Sequence, residues 1–152
     1  MLGAEMLTPR PGVRRLIEAA RARKITLAIA TTTGRDNTLA VLKALFGSDA
    51  PGWFAVIAAG EDAKVKKPDP EIYRVVLRRL EISGAACVAI EDSCLGLQAA
   101  RGANIAVLIT PSSYTRGDDF SGAMAVVSDL ETGETGASVT PALLEEWLAQ
   151  RG

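Results

Sequence analysis

Three short polar segments of the sequence each follow an apolar run and carry side chains that bind phosphate or metal ions. The first is Thr31-Thr32-Thr33-Gly34, at a predicted strand-to-helix turn. Hydroxyl groups beside free backbone N–H groups at such a turn form a phosphate-binding arrangement. Threonine is also a common helix cap, and taken alone this segment favours the capping role.

The second segment centres on Lys67, which is flanked by Pro68 and lies three residues before Pro70. The prolines stiffen the backbone around the lysine. A lysine held at a strand end can neutralise the charge of a phosphate or of a carboxylate nucleophile. The alternative is a solvated basic loop, where most lysines lie, and Lys67 taken alone favours that alternative.

The third segment is Glu91-Asp92-Ser93. Two adjacent carboxylates at the end of a buried strand are costly unless their charge is compensated. Mg²⁺, a cation that prefers oxygen ligands, would compensate it. Asp92 or Ser93 could instead simply cap the next helix, and the residues alone leave both interpretations open.

Five short apolar runs predict the strands that must position these segments. Such runs are typical of strands buried on both faces of a sheet. Helical patterns separate them, which indicates an α/β fold with a parallel sheet and right-handed crossovers. Ligands in such folds bind at the carboxyl ends of the strands, where the three polar segments fall. The predicted strands are Ile25–Thr31, Phe54–Ala59, Ala86–Ile90, Asn104–Ile109 and a weaker fifth, Met124–Val127.

Apolar residues at spacings of three and four predict five helices around these strands. Capping residues and prolines mark where several of them begin and end. The helices run through Val13, Leu16, Ile17 and Ala20; from an N-cap at Asp36 through Leu39, Leu42 and Leu45; from an N-cap at Asp69 through Tyr73, Val76, Leu77 and Leu80; from Ser93 to a C′ glycine at Gly102; and from Thr140-Pro141 through Leu144, Trp147 and Leu148.

Composition excludes several classes of protein. The 152 residues carry 17 Lys and Arg against 18 Asp and Glu, and a net charge of −1 offers no attraction to nucleic acid or to an anionic membrane. The chain has no histidine, which removes Ser-His-Asp and Cys-His catalysis. With two cysteines, no apolar run of about 20 residues and no signal peptide, we expect a cytoplasmic protein.

Taken together, the segments resemble the haloacid dehalogenase (HAD) superfamily of phosphatases and phosphomutases, in particular its CbbY-like and β-phosphoglucomutase-like subgroup. LAIATTT resembles the family's second motif, KKPDPEIY its third and IEDSCLGLQAARGA its fourth. TPSSYTRGDDFSGAMAVVSDL is similar to the CbbY-like sugar-bisphosphate phosphatases. The resemblance runs from about Thr8 to Leu130 and implies the HAD core, a Rossmann-like parallel sheet in three α/β/α layers.

The resemblance implies a role for each matched residue. Thr31 would hydrogen-bond the transferring phosphoryl group, and Lys67 would offset charge on the nucleophile and the phosphate. Glu91 and Asp92 would hold Mg²⁺. The candidates on the substrate side are Thr32, Thr33 and Arg35.

One part of the family's pattern is absent from these residues. The family's reaction begins with an aspartate nucleophile in an Asp-x-Asp-Gly-Thr/Val segment, and the nearest carboxylate pair outside the fourth motif, Asp118-Asp119, follows no buried strand. In the resembled fold that aspartate lies on strand 1, in the middle of the order 5-4-1-2-3. Strands Ile25–Thr31 and Ala86–Ile90 therefore have no common neighbour, and two sheet edges carry unpaired backbone groups.

We therefore expect one domain, the C-terminal part of an HAD core. Residues 1–11 would be a remnant of the cap-to-core linker, 12–130 the core, and 131–152 a C-terminal extension with a helix. The function implied is a Mg²⁺-dependent phosphatase that acts on a small sugar phosphate or bisphosphate through an aspartyl-phosphate, with this chain alone inactive. The alternatives are a β-phosphoglucomutase-like phosphomutase, or a non-catalytic fragment that needs a partner: the missing N-terminal segment or a second copy.

Overall fold

The computed structural model describes residues 10–132 and 138–151, and within them every predicted strand and helix is confirmed. The strands are shorter than the apolar runs because only part of each run pairs with a neighbour. In chain order the elements are α1 (Val13–Ala22), β1 (Ala28–Ala30), α2 (Arg35–Phe46), β2 (Val56–Ala58), α3 (Glu71–Leu80), β3 (Val88–Glu91), α4 (Cys94–Gly102), β4 (Ala106–Ile109), β5 (Ala125–Val126) and α5 (Pro141–Gln150).

The strands form two parallel sheets in the part of the chain that the structure describes. Strand β1 pairs with β2, and the second sheet has the order β3-β4-β5. No described strand pairs with the free edge of β1 or with the free edge of β3. Strands β1 and β3 therefore share no neighbour among the described residues.

Two apolar clusters, one on each face of the second sheet, join it to the two helical layers of the predicted α/β/α fold. Along β4, Val107 and Ile109 face one cluster with α3 and α4, whereas Leu108 faces the other with α1 and α5. This alternation follows from the two-residue period of a strand. The first cluster also takes in Ala58 of β2 and Ala89 of β3, so one helical layer lies under both sheets and holds them together.

The last helix packs on the body of the domain. Val139 is buried against Leu16 of α1 and Leu130, and Trp147 of α5 packs against the same cluster. The N-terminus of α5 is capped by Thr140, whose hydroxyl accepts a hydrogen bond from the Leu143 N–H at 3.1 Å. The single-domain division stays a prediction, and most of the linker remnant at 1–11 lies outside the described residues.

Three predicted helix ends are wrong in their capping residue. Gly34, not Asp36, is the N-cap of α2, because Glu61 reaches the first turn from another loop. Pro70 is the N-cap of α3, although Asp69 still accepts a hydrogen bond from the Glu71 N–H.

The third error concerns the end of α4. Gly102 is the last residue of that helix, and the left-handed residue after it is Asn104, with φ 60°. Asparagine tolerates this conformation better than most side chains.

Of the helices in residues 10–132 and 138–151, none has the length and apolar content to cross a membrane.

Candidate active site

Lys67 joins the ends of the two sheets. Its ammonium group donates to the carbonyl of Ala30, the last residue of β1, at 3.1 Å, and to Glu91 Oε1, at the end of β3, at 2.5 Å. Both side chains are largely buried, with 15% of Lys67 and 10% of Glu91 exposed. The contact puts the carboxyl ends of β1 and β3 at one edge. An ammonium has three N–H donors, so these two partners leave one for a ligand.

Glu91 is held from two further directions. Its Oε1 accepts a hydrogen bond from the buried hydroxyl of Tyr73 on α3. Burial is the main cause that raises the pKa of Tyr73 well above its ordinary value, and the Glu91 charge adds to it. On the other side Glu91 lies against Gly96 so closely that a Cβ there would overlap the carboxylate. Lys67, Tyr73 and Gly96 together fix the position of Glu91.

Asp92 lies one residue beyond β3 and is exposed. Its backbone carbonyl accepts a hydrogen bond from Thr115 Oγ1 at 2.5 Å, which ties the loop after β4 to the end of β3. The predicted cap of α4 is confirmed as Ser93, whose hydroxyl accepts from the Gly96 N–H at 3.1 Å. Because Ser93 does the capping, the side chain of Asp92 is left to face solvent at the carboxyl edge.

The threonine turn follows β1. The Thr31 N–H donates to the Ala58 carbonyl at 2.9 Å, and Thr31 Oγ1 accepts from the Thr33 N–H at 3.1 Å. A hydroxyl that accepts through its lone pair keeps its own proton for donation. Thr32 and Thr33 are exposed beside it. The turn is further joined to the end of β2 by the Gly60 N–H, which donates to the Thr33 carbonyl at 2.8 Å.

Arg35 is engaged by the end of β2 and by the loop that follows it. Its guanidinium donates to the Ile57 carbonyl at 3.0 Å and to Asp62 Oδ2 at 2.5 Å. Its backbone N–H donates to both oxygens of Glu61, at 2.9 and 3.1 Å. These contacts join α2 to the loop after β2, which is a structural role. A substrate-side role for Arg35 stays a prediction that the geometry does not favour.

The carboxylates at this edge are the candidate ligands for a magnesium ion. In residues 10–132 and 138–151 no group of three or more His, Cys, Asp or Glu side chains could share a metal ion. Glu91 is already neutralised by Lys67 at 2.5 Å, whereas Asp92 is exposed. Mg²⁺ prefers six oxygen ligands and keeps several waters. The residues therefore fit the ion in part, with Asp92 as the available ligand and Glu91 beside it.

Sequence reasoning missed two residues of this arrangement, Tyr73 and Gly96. The spacing of apolar residues assigns Tyr73 to the apolar face of α3, although a buried tyrosine hydroxyl needs a partner and thus signals a polar contact. Gly96, in the first turn of a helix, is a signal of close approach. Neither signal identifies Glu91 as the residue that Tyr73 and Gly96 contact.

The chain belongs to the haloacid dehalogenase-like hydrolase family, whose model matches residues 1–104. Its relatives place it in the CbbY-like subgroup. CbbY of Rhodobacter capsulatus is 49% identical over 127 residues, which are 84% of this chain and 56% of that protein. The phosphorylated carbohydrates phosphatase of Thermotoga maritima is 40% identical over 102 residues, 67% of this chain and 46% of that protein.

A solved structure also shows similarity to the CbbY-like subgroup. The crystal structure of a CbbY variant from Rhodobacter sphaeroides, in complex with xylulose-1,5-bisphosphate, has a TM-score of 0.78 and 43% identity. The match covers 80% of this chain and 54% of the solved one. The chain thus spans about half the length of the relatives it matches.

Proposed function

We propose that this chain supplies the phosphate- and metal-binding part of a Mg²⁺-dependent phosphatase that acts on a small sugar phosphate or sugar bisphosphate. The observation that carries the proposal is the position of Lys67, which reaches Ala30 and Glu91 across the break between the sheets. A buried ammonium at the meeting point of two strand ends suits an oxyanion that develops charge. The relative named as a phosphatase of phosphorylated carbohydrates and the CbbY variant crystallised with xylulose-1,5-bisphosphate support the substrate class.

Each residue at this edge would contact the substrate or the metal ion through a different group. The Thr31 hydroxyl, which accepts from Thr33, donates its own proton to a phosphoryl oxygen. The remaining N–H of Lys67 offsets the charge of the same group. Asp92, with Glu91 beside it, would hold the magnesium ion. When bound, Mg²⁺ would offset charge on the phosphoryl oxygens.

The covalent step needs a group that these residues do not contain. The family's route is an aspartyl-phosphate, and the sequence has no Asp-x-Asp-Gly segment. We therefore expect this chain alone to hydrolyse no phosphate ester. The break between β1 and β3 is the place where a strand bearing such an aspartate would bring it beside Lys67.

Reconstitution tests the proposal. The chain is mixed with a separate polypeptide that carries the Asp-x-Asp-Gly segment of a CbbY relative, and hydrolysis of a pentose bisphosphate is followed as phosphate release with Mg²⁺. We expect activity only in the mixture, and a loss of about 10² to 10³-fold with Lys67→Met, the usual cost of one electrostatic stabiliser. Lys64→Met, in the same loop but exposed, is the matched control and should keep full activity.

Two results would contradict the proposal. One is hydrolysis by the chain alone that Lys67→Met leaves unchanged. The other is an equal loss of activity in the Lys64→Met and Lys67→Met variants. That result would show that Lys67 contributes only to the overall positive charge of its loop.

A further inference from the structure

The carboxylate pair Asp118-Asp119 lies in the loop between β4 and β5, outside the phosphate- and metal-binding segments. The two side chains have different partners. Asp119 Oδ1 accepts from the Ser121 N–H at 2.9 Å and from the Ser121 hydroxyl at 2.5 Å, so these contacts stay within its own turn. Asp118 Oδ2 instead accepts from the Cys94 N–H at 3.0 Å, 24 residues earlier in the chain. Asp118 therefore joins this loop to the start of α4.

The start of α4 needs hydrogen-bond acceptors from outside the helix. The first N–H groups of a helix have no partner within it, and its positive end favours a carboxylate. Ser93, the N-cap, accepts from the Gly96 N–H at 3.1 Å. Asp118 accepts from the N–H of Cys94, the first residue of the helix. One local group and one group from a distant loop thus hold the helix start directly after Asp92.

Thr115 holds the other side of the same segment. Its Oγ1 accepts from the Ser112 N–H at 2.9 Å and donates to the Asp92 carbonyl at 2.5 Å. Because the Ser112 N–H takes a lone pair, the hydroxyl proton is available for the carbonyl. The Asp118 N–H donates to the Thr115 carbonyl at 2.9 Å, so both anchoring residues belong to one hydrogen-bonded turn. Residues 112–118 form this anchor loop.

The anchor loop fixes the backbone on the C-terminal side of Asp92. The Asp92 carbonyl and the Cys94 N–H belong to two successive peptide groups, and each is held by the loop. The side chain of Asp92 is exposed, so its direction follows from the backbone that carries it. Glu91, one residue earlier, is instead held through its side chain by Lys67 and Tyr73. The two neighbouring carboxylates are therefore oriented by separate sets of contacts.

We propose that Thr115 and Asp118 are positioning residues that hold the Asp92 carboxylate in the orientation needed to bind a divalent cation. The inference rests on the proposed function, because Asp92 is the available magnesium ligand there. A ligand that is already oriented loses less conformational entropy on binding than a mobile one. Partners that orient metal ligands typically contribute about 10- to 100-fold in metal affinity. Thr115 and Asp118 act through the backbone beside Asp92 and not by contact with the ion.

The first test is a titration of the full chain with Mg²⁺, followed through the amide NMR signals of Asp92 and Ser93. Thr115→Val removes the hydroxyl and keeps the shape of the side chain, and we expect it to raise the dissociation constant about tenfold. Thr115→Ser keeps the hydroxyl and should retain the affinity of the parent. Ser113→Ala removes an exposed hydroxyl of the same loop and is the matched control.

The second test repeats the titration with the carboxylate pair. Asp118→Ala should weaken Mg²⁺ binding in the same direction, whereas Asp119→Ala, the matched control, should not. Because loss of either anchor frees the same segment, the double variant Thr115→Val with Asp118→Ala should bind little more weakly than either single variant. Melting temperatures accompany the titrations, which are made well below them. A merely structural role would lower the melting temperature without changing the affinity of the folded protein.

The outcomes separate this inference from the proposed function. If Asp92→Asn abolishes the Mg²⁺ response but the Thr115 and Asp118 variants bind as the parent does, the positioning role is refuted and the proposed function stands. The same conclusion follows if Ser113→Ala and Asp119→Ala weaken binding as much as their partners. If Asp92→Asn leaves the response unchanged, the proposed metal site fails, and the positioning role fails with it.

Discussion

Replacing Gly96 with alanine should destabilise this domain, although the same change in an ordinary helix stabilises it. Gly96 lies in α4, where alanine is favoured over glycine by about 1 kcal/mol. Here, however, a Cβ would overlap the carboxylate of Glu91. The Glu91 carboxylate is the flexible partner of this contact, so it is the group that must move away from Lys67 and Tyr73.

The loss of stability follows from the hydrogen bonds that Glu91 would give up. Its Oε1 accepts from the Lys67 ammonium and from the Tyr73 hydroxyl, and both donors are largely buried. A hydrogen bond to a charged group contributes about 1.5–3 kcal/mol. Two such bonds less the helix gain give a net loss of about 2–5 kcal/mol. For a domain of this size that loss corresponds to about 5–15 °C in melting temperature.

The measurement is thermal or urea unfolding of Gly96→Ala beside two comparison variants. Gly52→Ala adds a Cβ that meets nothing within 4 Å and should leave stability nearly unchanged. In a Glu91→Ala background the obstacle is gone, and Gly96→Ala should then stabilise by about 0.5–1 kcal/mol. Gly96→Ala that stabilises the parent chain, or that costs the same in both backgrounds, would refute the reasoning.

Three further predictions concern the metal, the acid side of the pH range and the free strand edges. Asp92→Asn should remove most of a weak Mg²⁺ response measured by calorimetry, and an equal response in both proteins would eliminate the site. The Ala59 N–H and the Arg79 guanidinium hold the pKa of Asp62 below its ordinary value, so Asp62 stabilises the fold above about pH 4 and loses that effect on further acidification. Asp62→Asn should therefore cost about 1–3 kcal/mol at pH 7 and progressively less as the pH falls below about 4, and a cost independent of pH would contradict this. Finally, the free edges of β1 and β3 should make the isolated chain self-associate, and the separate Asp-x-Asp-Gly polypeptide should raise its melting temperature. Light scattering and thermal unfolding measure both effects. A monodisperse monomer, with a melting temperature that the polypeptide does not change, would show that the edges are not open.

Much of the site was predictable because its parts are local. Thr31, Lys67 and the Glu91-Asp92 pair each follow an apolar run, and the carboxyl ends of parallel strands meet at one edge. The break between β1 and β3 was predictable for a similar reason, since the strand order of the resembled fold leaves these two strands without a shared neighbour.

The contacts that make the site rigid come from elsewhere in the chain. Glu91 meets Tyr73, 18 residues away, and Cys94 meets Asp118, 24 residues away. Glu61 displaces Asp36 as the group at the start of α2 because it arrives from a loop 26 residues from Arg35. No periodicity or capping preference encodes such pairs.

The sequence by itself determined the α/β class, the three polar strand ends and the candidate residues for phosphate and magnesium, because apolar runs and short motifs act over a few residues. The tertiary structure decided which of those groups are engaged: Lys67 across two sheets, Arg35 on Asp62, Glu91 between Tyr73 and Gly96. It also decided that Thr115 and Asp118 contact the segment that carries Asp92. Those contacts depend on how the helical layers bring loops that are distant in the sequence to one edge of the sheets. Only tertiary packing decides which of these loops meet there.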